Sequence, residues 1–451
     1  MRVAVVGAGV AGCATALALG RQGHDVVLLD RDPGPAATEP DEVFDTWSAG
    51  GVAQARHPHN FLGLGRAVLR DRFPDLYGEL LAAGAGEVAL SGFLGDAAPE
   101  PGDADLTTIA CRRPVFDAVL RRAVEVRPAE VTGLLVQAGQ VTGVAVVDGR
   151  VDADLVVDAG GRGSRVPAWL EAEGHPPPEP EQSDCGLLYY SRHYRLRDGE
   201  QLPPYGSFLG GPRGDLGYLG FAVFLGDNGT FSTVVMVPPS DRVFRELRAE
   251  AAYERVVGLL PGLAPWRAVA EPITEVLPMG HLRNTFRPPS DVPGLLAVGD
   301  ARCHTNPTFA LGASLGLAQG VLLADLAGKA GDLAELASLF AAEVDPDLRA
   351  RFDAVTAEDR DRARVWGGEA VDVTDPAASM PYFLRSVVYR VAPQDPEMLR
   401  AVGRRVHALD PVDQLESDPD LLARARRRYG EIRETVPVPP PRETLLAALS
   451  S

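Results

Sequence analysis

The first thirty residues constrain this chain more than any other stretch. Arg2 to Val6 reads as a buried parallel strand. It runs into Gly7-Ala8-Gly9-Val10-Ala11-Gly12, a small-residue helix to about Leu19, a stop at Gly23, and a second strand, Asp25 to Leu29, ending at Asp30. These pieces make one βαβ unit with a glycine-rich turn. The first glycine permits the tight turn, the second lets backbone approach a pyrophosphate, and the third lets helix and strand pack closely. The helix N-terminus then faces the diphosphate, and Asp30, 18 residues after Gly12, is placed to accept hydrogen bonds from a ribose hydroxyl. The uncharged run Val3 to Gly20 superficially resembles a signal peptide, but its glycines fit the nucleotide-binding turn better.

Beyond this unit, Pro33 to Asp45 and Gly92 to Asp105 read as loops, Leu62 to Leu81 as helical, and Arg113 to Leu120 as a helix with proline in its first turn. Val131 to Gln137 and Gln140 to Val147 read as paired strands with Asp148-Gly149 as a turn. A buried strand, Asp154 to Asp158, enters Ala159-Gly160-Gly161-Arg162-Gly163-Ser164-Arg165. From Leu187 the pattern becomes long β-rich stretches, Leu187 to Leu196 and Tyr218 to Val237, which suggest a separate antiparallel sheet. A helix is expected around Ser240 to Leu260. An apolar strand, Gly294 to Val298, then ends in Gly299-Asp300, and a long helix spans Gly312 to Ala330. The remainder is mostly helical with proline breaks near Pro376, Pro393 and Pro411 and a proline-rich stop from Pro437 to Pro441.

The fold class expected is α/β: a Rossmann-like nucleotide-binding domain with an inserted antiparallel β-sheet substrate domain and a C-terminal helical region. The expected boundaries are 1–180 and 275–330 for the first, 181–274 for the second and 331–451 for the third. At roughly 150 residues per domain, about three units fit. The net charge of −18 repels phosphate backbones and anionic membrane surfaces, so nucleic acid is excluded as a partner. The uncharged run Cys303 to Ala324 is broken by His304, Asn306 and Pro307, which leaves too short an apolar helix for stable membrane insertion. Four scattered cysteines argue against disulfides, a zinc site or a dithiol motif and favour a reducing cytoplasm; no metal site is expected.

Three motifs, in this order and spacing, resemble the FAD-dependent monooxygenases of the para-hydroxybenzoate hydroxylase-like fold. They are the glycine triplet with Asp30, the segment Asp154 to Arg165, and Gly299-Asp300 followed by Pro307 and Gly312. The resemblance implies FAD as cofactor, with Gly7, Gly9, Gly12, Asp30, Arg113, Asp300, Pro307 and Gly312 around it. Gly51 to His59 is similar to a segment of bacterial epoxidases and halogenase-like members that lies near the flavin, which adds Gln54 and Arg56. An Asp at a strand's carboxyl end can bond a ribityl hydroxyl, and a helix N-terminus at Gly312 would favour negative charge on a reduced ring.

The family implies oxygen transfer from O2 to an apolar organic molecule, by epoxidation or hydroxylation in natural-product biosynthesis, through a flavin C4a-hydroperoxide. Tyr190, Arg192, Phe221 and Phe224 on the β-rich stretch are the substrate candidates, and no catalytic acid or base can be named. Ala310 stands where the family has glycine, Cys303 where it commonly has histidine, and Gly160 where it usually has aspartate. No second glycine-rich unit is visible, so NAD(P)H binds transiently or a separate flavin reductase supplies electrons. The same motifs serve isoprenoid reductases and redox-neutral cyclases, and a non-catalytic flavin-binding role also fits them. Halogenation is a lesser alternative, because the tryptophans are isolated and the single lysine, Lys329, lies beyond the flavin helix.

Overall fold

A computed structural model describes residues 1–47, 54–433 and 440–450. Its nucleotide-binding half is a five-stranded parallel sheet. Strand Arg2–Val6 lies at its centre between Asp25–Asp30 and Leu155–Asp158, with Val126–Pro128 and Leu295–Ala297 at the edges. Val3, Ala4 and Val5 are fully buried, as expected of a central parallel strand covered on both faces. The helix Val10–Arg21 packs against Leu311–Ala327 at very short range. A Cβ on Gly316 would come within 3.0 Å of the Ala11 side chain, and one on Gly320 within 2.7 Å of the Thr15 amide. The small residues of both helices are therefore a packing requirement.

The antiparallel sheet is built on Leu188–Leu196, which pairs with Thr230–Val237 on one side and with Ala270–Pro272 and Leu277–Met279 on the other. Gly220–Leu225 and the short edge strand Arg213–Asp215 complete it. The sheet thus runs to Met279, past the expected boundary at 274. Side chains alternate between its faces. One face, with Tyr190, Tyr194, Phe221 and Val223, packs on the helix Glu250–Leu259, on Trp266 and on the C-terminal helix Arg442–Ser450. The opposite face carries Tyr189, Phe224, Val234 and Met236 and turns toward the nucleotide-binding half and Trp366.

The expected helix over Leu62 to Leu81 is two helices, Gly63–Arg72 and Pro74–Ala82, because Pro74 starts a new first turn after Phe73. The expected helix from Ser240 is a 3-10 segment, Arg242–Arg248, followed by Glu250–Leu259. The longest helix, Leu333–Trp366, continues through Pro346. Among the described residues, no helix is long and apolar enough to cross a membrane. The four cysteines are unpaired and buried.

Candidate functional site

A cleft of about 330 Å³ runs over the carboxyl ends of the parallel strands. Strand order places Asp30 and Ala129 on one side of Val6, and Asp158 and Gly299 on the other. The crevice outside the carboxyl ends of parallel strands is the position at which open α/β sheets bind ligands. Gly7, Gly9, Asp30, Gln54, Arg113, Asp300, Pro307 and Gly312 all line this cleft.

The glycine turn has the geometry its spacing suggests. Gly7 has φ +104°, and a Cβ there would meet the Ala159 carbonyl oxygen at 2.5 Å. Gly12 lies behind the wall: a Cβ on it would sit 1.8 Å from the Gly7 oxygen, so it serves close packing and does not line the cleft. Gly9 is different, because a Cβ there would meet nothing within 4 Å. Its missing side chain leaves open space beside the N-terminus of Val10–Arg21, which is the approach a diphosphate needs. Asp30 accepts the Ala8 amide at 2.6 Å and pairs with Arg121 at 3.0 Å, so it braces the turn as well as facing the cleft. Its other oxygen accepts the Asp32 amide and keeps a lone pair free.

At the other end, the Asp300 carboxylate accepts the His304 ring at 2.9 Å and stands against Gly312, where a Cβ would approach it to 2.9 Å. Burial pushes its pKa up, but the His304 contact and the charges of Arg113 and Arg162 outweigh that, and the net shift is downward. His304 Nε2 is buried with no partner among the described residues, although its ring lines the cleft. Asp158 accepts Ser164 Oγ and the Gly160 amide, and burial holds its carboxyl above the usual range. Arg113 is buried and braced by Asp117 at 2.6 Å. An open glycine cradle, a carboxylate at each end and an orphaned imidazole nitrogen suit a dinucleotide with an extended ring system.

Other candidates fall elsewhere. Gly51 to Ala53 lie outside the described residues. Arg56 is not in the cleft wall; its guanidinium carbon sits 5.2 Å from the centre of the Phe44 ring. Of the four substrate candidates only Phe224 lines the cleft. Tyr190 and Phe221 point the other way into the core beneath the sheet. Arg192 also points away and is tied to Glu250 and Glu254. The physical reason is strand parity: in Leu188–Leu196 the cleft-facing residue is Tyr189, one position from Tyr190. Tyr189 was missed because alternating aromatics mark a strand without saying which face meets the ligand.

A buried network missed in the sequence holds the loop around Pro307. Asp359, on the long helix, accepts Asn284 Nδ2 and Asn306 Nδ2 at 2.7 Å each and pairs with Arg362. The Asn306 amide donates to Asn284 Oδ1, and Asn306 Oδ1 accepts the Thr308 amide.

Comparison with known proteins bears on this geometry. Residues 2–40 match the model of a family described as FAD dependent oxidoreductase. The flavin-dependent brominase Bmp2 superposes with a TM-score of 0.60 at 17% identity, covering 97% of this chain and 100% of that one. PqsL of Pseudomonas aeruginosa, described as a probable FAD-dependent monooxygenase, gives 0.61 at 16% identity over 82% of this chain and 98% of its own. The chain shares the fold of these flavin-dependent proteins. An FAD-complexed variant of HpxO from Klebsiella pneumoniae superposes with a TM-score of 0.58 at 16% identity, covering 94% of this chain and 98% of that one. Among curated proteins, Protein Rv3254 of Mycobacterium tuberculosis is 27% identical over 342 residues, covering 69% of each chain.

Proposed function

We propose that this chain binds FAD in the cleft and acts as a monooxygenase on an apolar small molecule, by epoxidation or hydroxylation, with electrons from NAD(P)H or a separate flavin reductase. The observation that carries the reading is the convergence of all three motifs on one cleft whose far wall is an apolar sheet face with Tyr189 and Phe224. When bound, reduced FAD supplies the activation of O2 for transfer of one oxygen atom.

The chain's own residues bind, orient and exclude water. Gly7 to Val10 and the helix N-terminus hold the diphosphate, Asp30 accepts from the ribose, and Gln54 and Arg113 flank the chain of the cofactor. Asp300, Pro307 and Gly312 hold the ring end, where the N-terminus of Leu311–Ala327 favours negative charge. Tyr189 and Phe224 keep the reacting region apolar. Halogenation finds no support in the placement of Lys329. That residue is exposed past the end of the 17-residue helix Leu311–Ala327, roughly 25 Å along its axis from the cleft.

Gly9→Val tests the site. The backbone there, φ −75° and ψ −175°, accommodates valine, and the new Cβ has no protein atom within 4 Å and enters the space proposed for the diphosphate. The variant should fold with wild-type circular dichroism and fail to retain FAD on desalting. Full FAD retention would contradict the proposed site.

A further inference from the structure

A second cavity, of about 620 Å³, opens beside the edge of the parallel sheet. The loop after Val298 stands between the two spaces: Gly299 and Asp300 line the first cleft, whereas Ala301 and Arg302 line this one. The glycine turn and the large antiparallel sheet contribute nothing to its wall. Its floor is buried and apolar, with Leu155, Leu170, Leu295 and Phe340. Its mouth is open to solvent, because Pro178, Pro289 and Ser338 in the lining are exposed.

Two sets of polar groups in this wall lack partners. Leu295–Ala297 is an edge strand and pairs only with Leu155–Asp158. The Val156 amide donates to Gly294 and the Val298 amide to Asp158, so by alternation the N–H and C=O groups of Leu295 and Ala297 point away from the sheet. Among the described residues these four groups have no hydrogen-bond partner, although Leu295 is only 5% exposed. Main-chain groups at such depth are nearly always paired. The second set is Arg302, which is 4% exposed. Its Nη2 donates to Asp345, another residue of the lining, and its Nη1 is buried without a partner.

A peptide backbone supplies what both sets lack, since its carbonyls accept from N–H groups and its amides donate to C=O groups. Three strand residues at about 3.3 Å each leave an edge of about 10 Å, the length of a short peptide. Charge selects against a free carboxylate. Arg302 is already neutralised by Asp345, and the exposed ionisable groups of the lining, Glu171, Glu179 and Asp291, are all acids.

We propose that this cavity binds a short, neutral, apolar peptide as an added strand on the free edge of Leu295–Ala297, with one peptide carbonyl accepting Arg302 Nη1 and apolar side chains on the floor. The peptide sits behind the loop that carries Asp300. Arg287 links the two, because it lines the cavity and donates to the carbonyls of Asp300 and Ala301 at 3.2 Å. The inference goes beyond the monooxygenase reading and does not depend on it.

The probe is acetyl-leucyl-valine methylamide, titrated calorimetrically into the protein with excess FAD present to occupy the first cleft. Its control carries a methyl group on every backbone nitrogen, which keeps the apolar side chains and removes the donors. The wild type should bind the probe about tenfold more tightly than the control, the equivalent of one or two ordinary hydrogen bonds. Arg302→Lys keeps a cation for Asp345 without the second arm of the fork and should weaken the probe several-fold. Ala337→Phe, on the half-buried wall, fills the cavity and should abolish binding with FAD content unchanged. Ala341→Phe, one turn along the same helix face, serves in its place if that variant does not fold. Four results each overturn the proposal: no binding of the probe at millimolar concentration, equal affinity for probe and control, wild-type affinity in Arg302→Lys, or binding that survives filling of the cavity.

Discussion

Ala310 is where side chain and backbone disagree most plainly at the site. It occupies the left-handed region, φ +57°, as the N-cap of Leu311–Ala327, a conformation that glycine adopts without strain. The departure from the family's glycine was legible in the sequence, and the structure shows its consequence. Left-handed backbone raises the energy of a residue with a Cβ by about 1 kcal/mol. Ala310→Gly should therefore stabilise the apoprotein by somewhat less than that, since glycine also loosens the unfolded chain. Denaturant unfolding checks this, and a lower midpoint in the variant contradicts it. Tyr189 shows the limit of reading residues singly. It is an ordinary strand residue in composition, and only the register decides that it faces the cleft while Tyr190 and Arg192 do not.

At the scale of elements, the long helix Leu333–Trp366 clamps the loop around Pro307 at one end of the cleft. Asp359 is almost fully buried, and burial holds its carboxyl above the usual range against the pull of Arg362, Asn284 and Asn306. Removing it leaves two amides and a guanidinium buried without their acceptor, which typically destabilises by about 3–5 kcal/mol. Asp359→Ala should lower the unfolding midpoint accordingly and speed FAD release, measured by the rise of free-flavin fluorescence after dilution. Unchanged stability and release contradict the clamp. The βαβ unit was legible because local periodicity and glycine spacing encode it directly. The clamp was not, because Asn284, Asn306 and Asp359 are far apart in sequence and share no periodic pattern. Pro346 illustrates the same gap, since this helix continues through a residue that usually ends one.

For the whole molecule, burial of four histidines couples stability to pH. Burial lowers His57 and His193 from 6.5 to about 4, and His59 and His407 to about 3. The folded state keeps these rings neutral, whereas the unfolded chain protonates them below 6.5. Their contribution is thus fully present above that value and is lost as pH falls through it toward the folded values. Each adds a slope of up to about 1.4 kcal/mol per pH unit over that window. Urea midpoints measured from pH 7 to pH 4 should fall steeply, and a flat profile contradicts the account. The nucleotide-binding half, the antiparallel sheet and most of the residues that line the strand end of the cleft were legible in the sequence, whereas its sheet wall needed the pairing of strands to be known. The most direct test of the central claim is rapid mixing of chemically reduced, FAD-loaded protein with oxygenated buffer, followed by absorbance. The account expects a transient species, distinct from both reduced and oxidised flavin, before the oxidised spectrum returns. A direct return to oxidised flavin with no intermediate would contradict it.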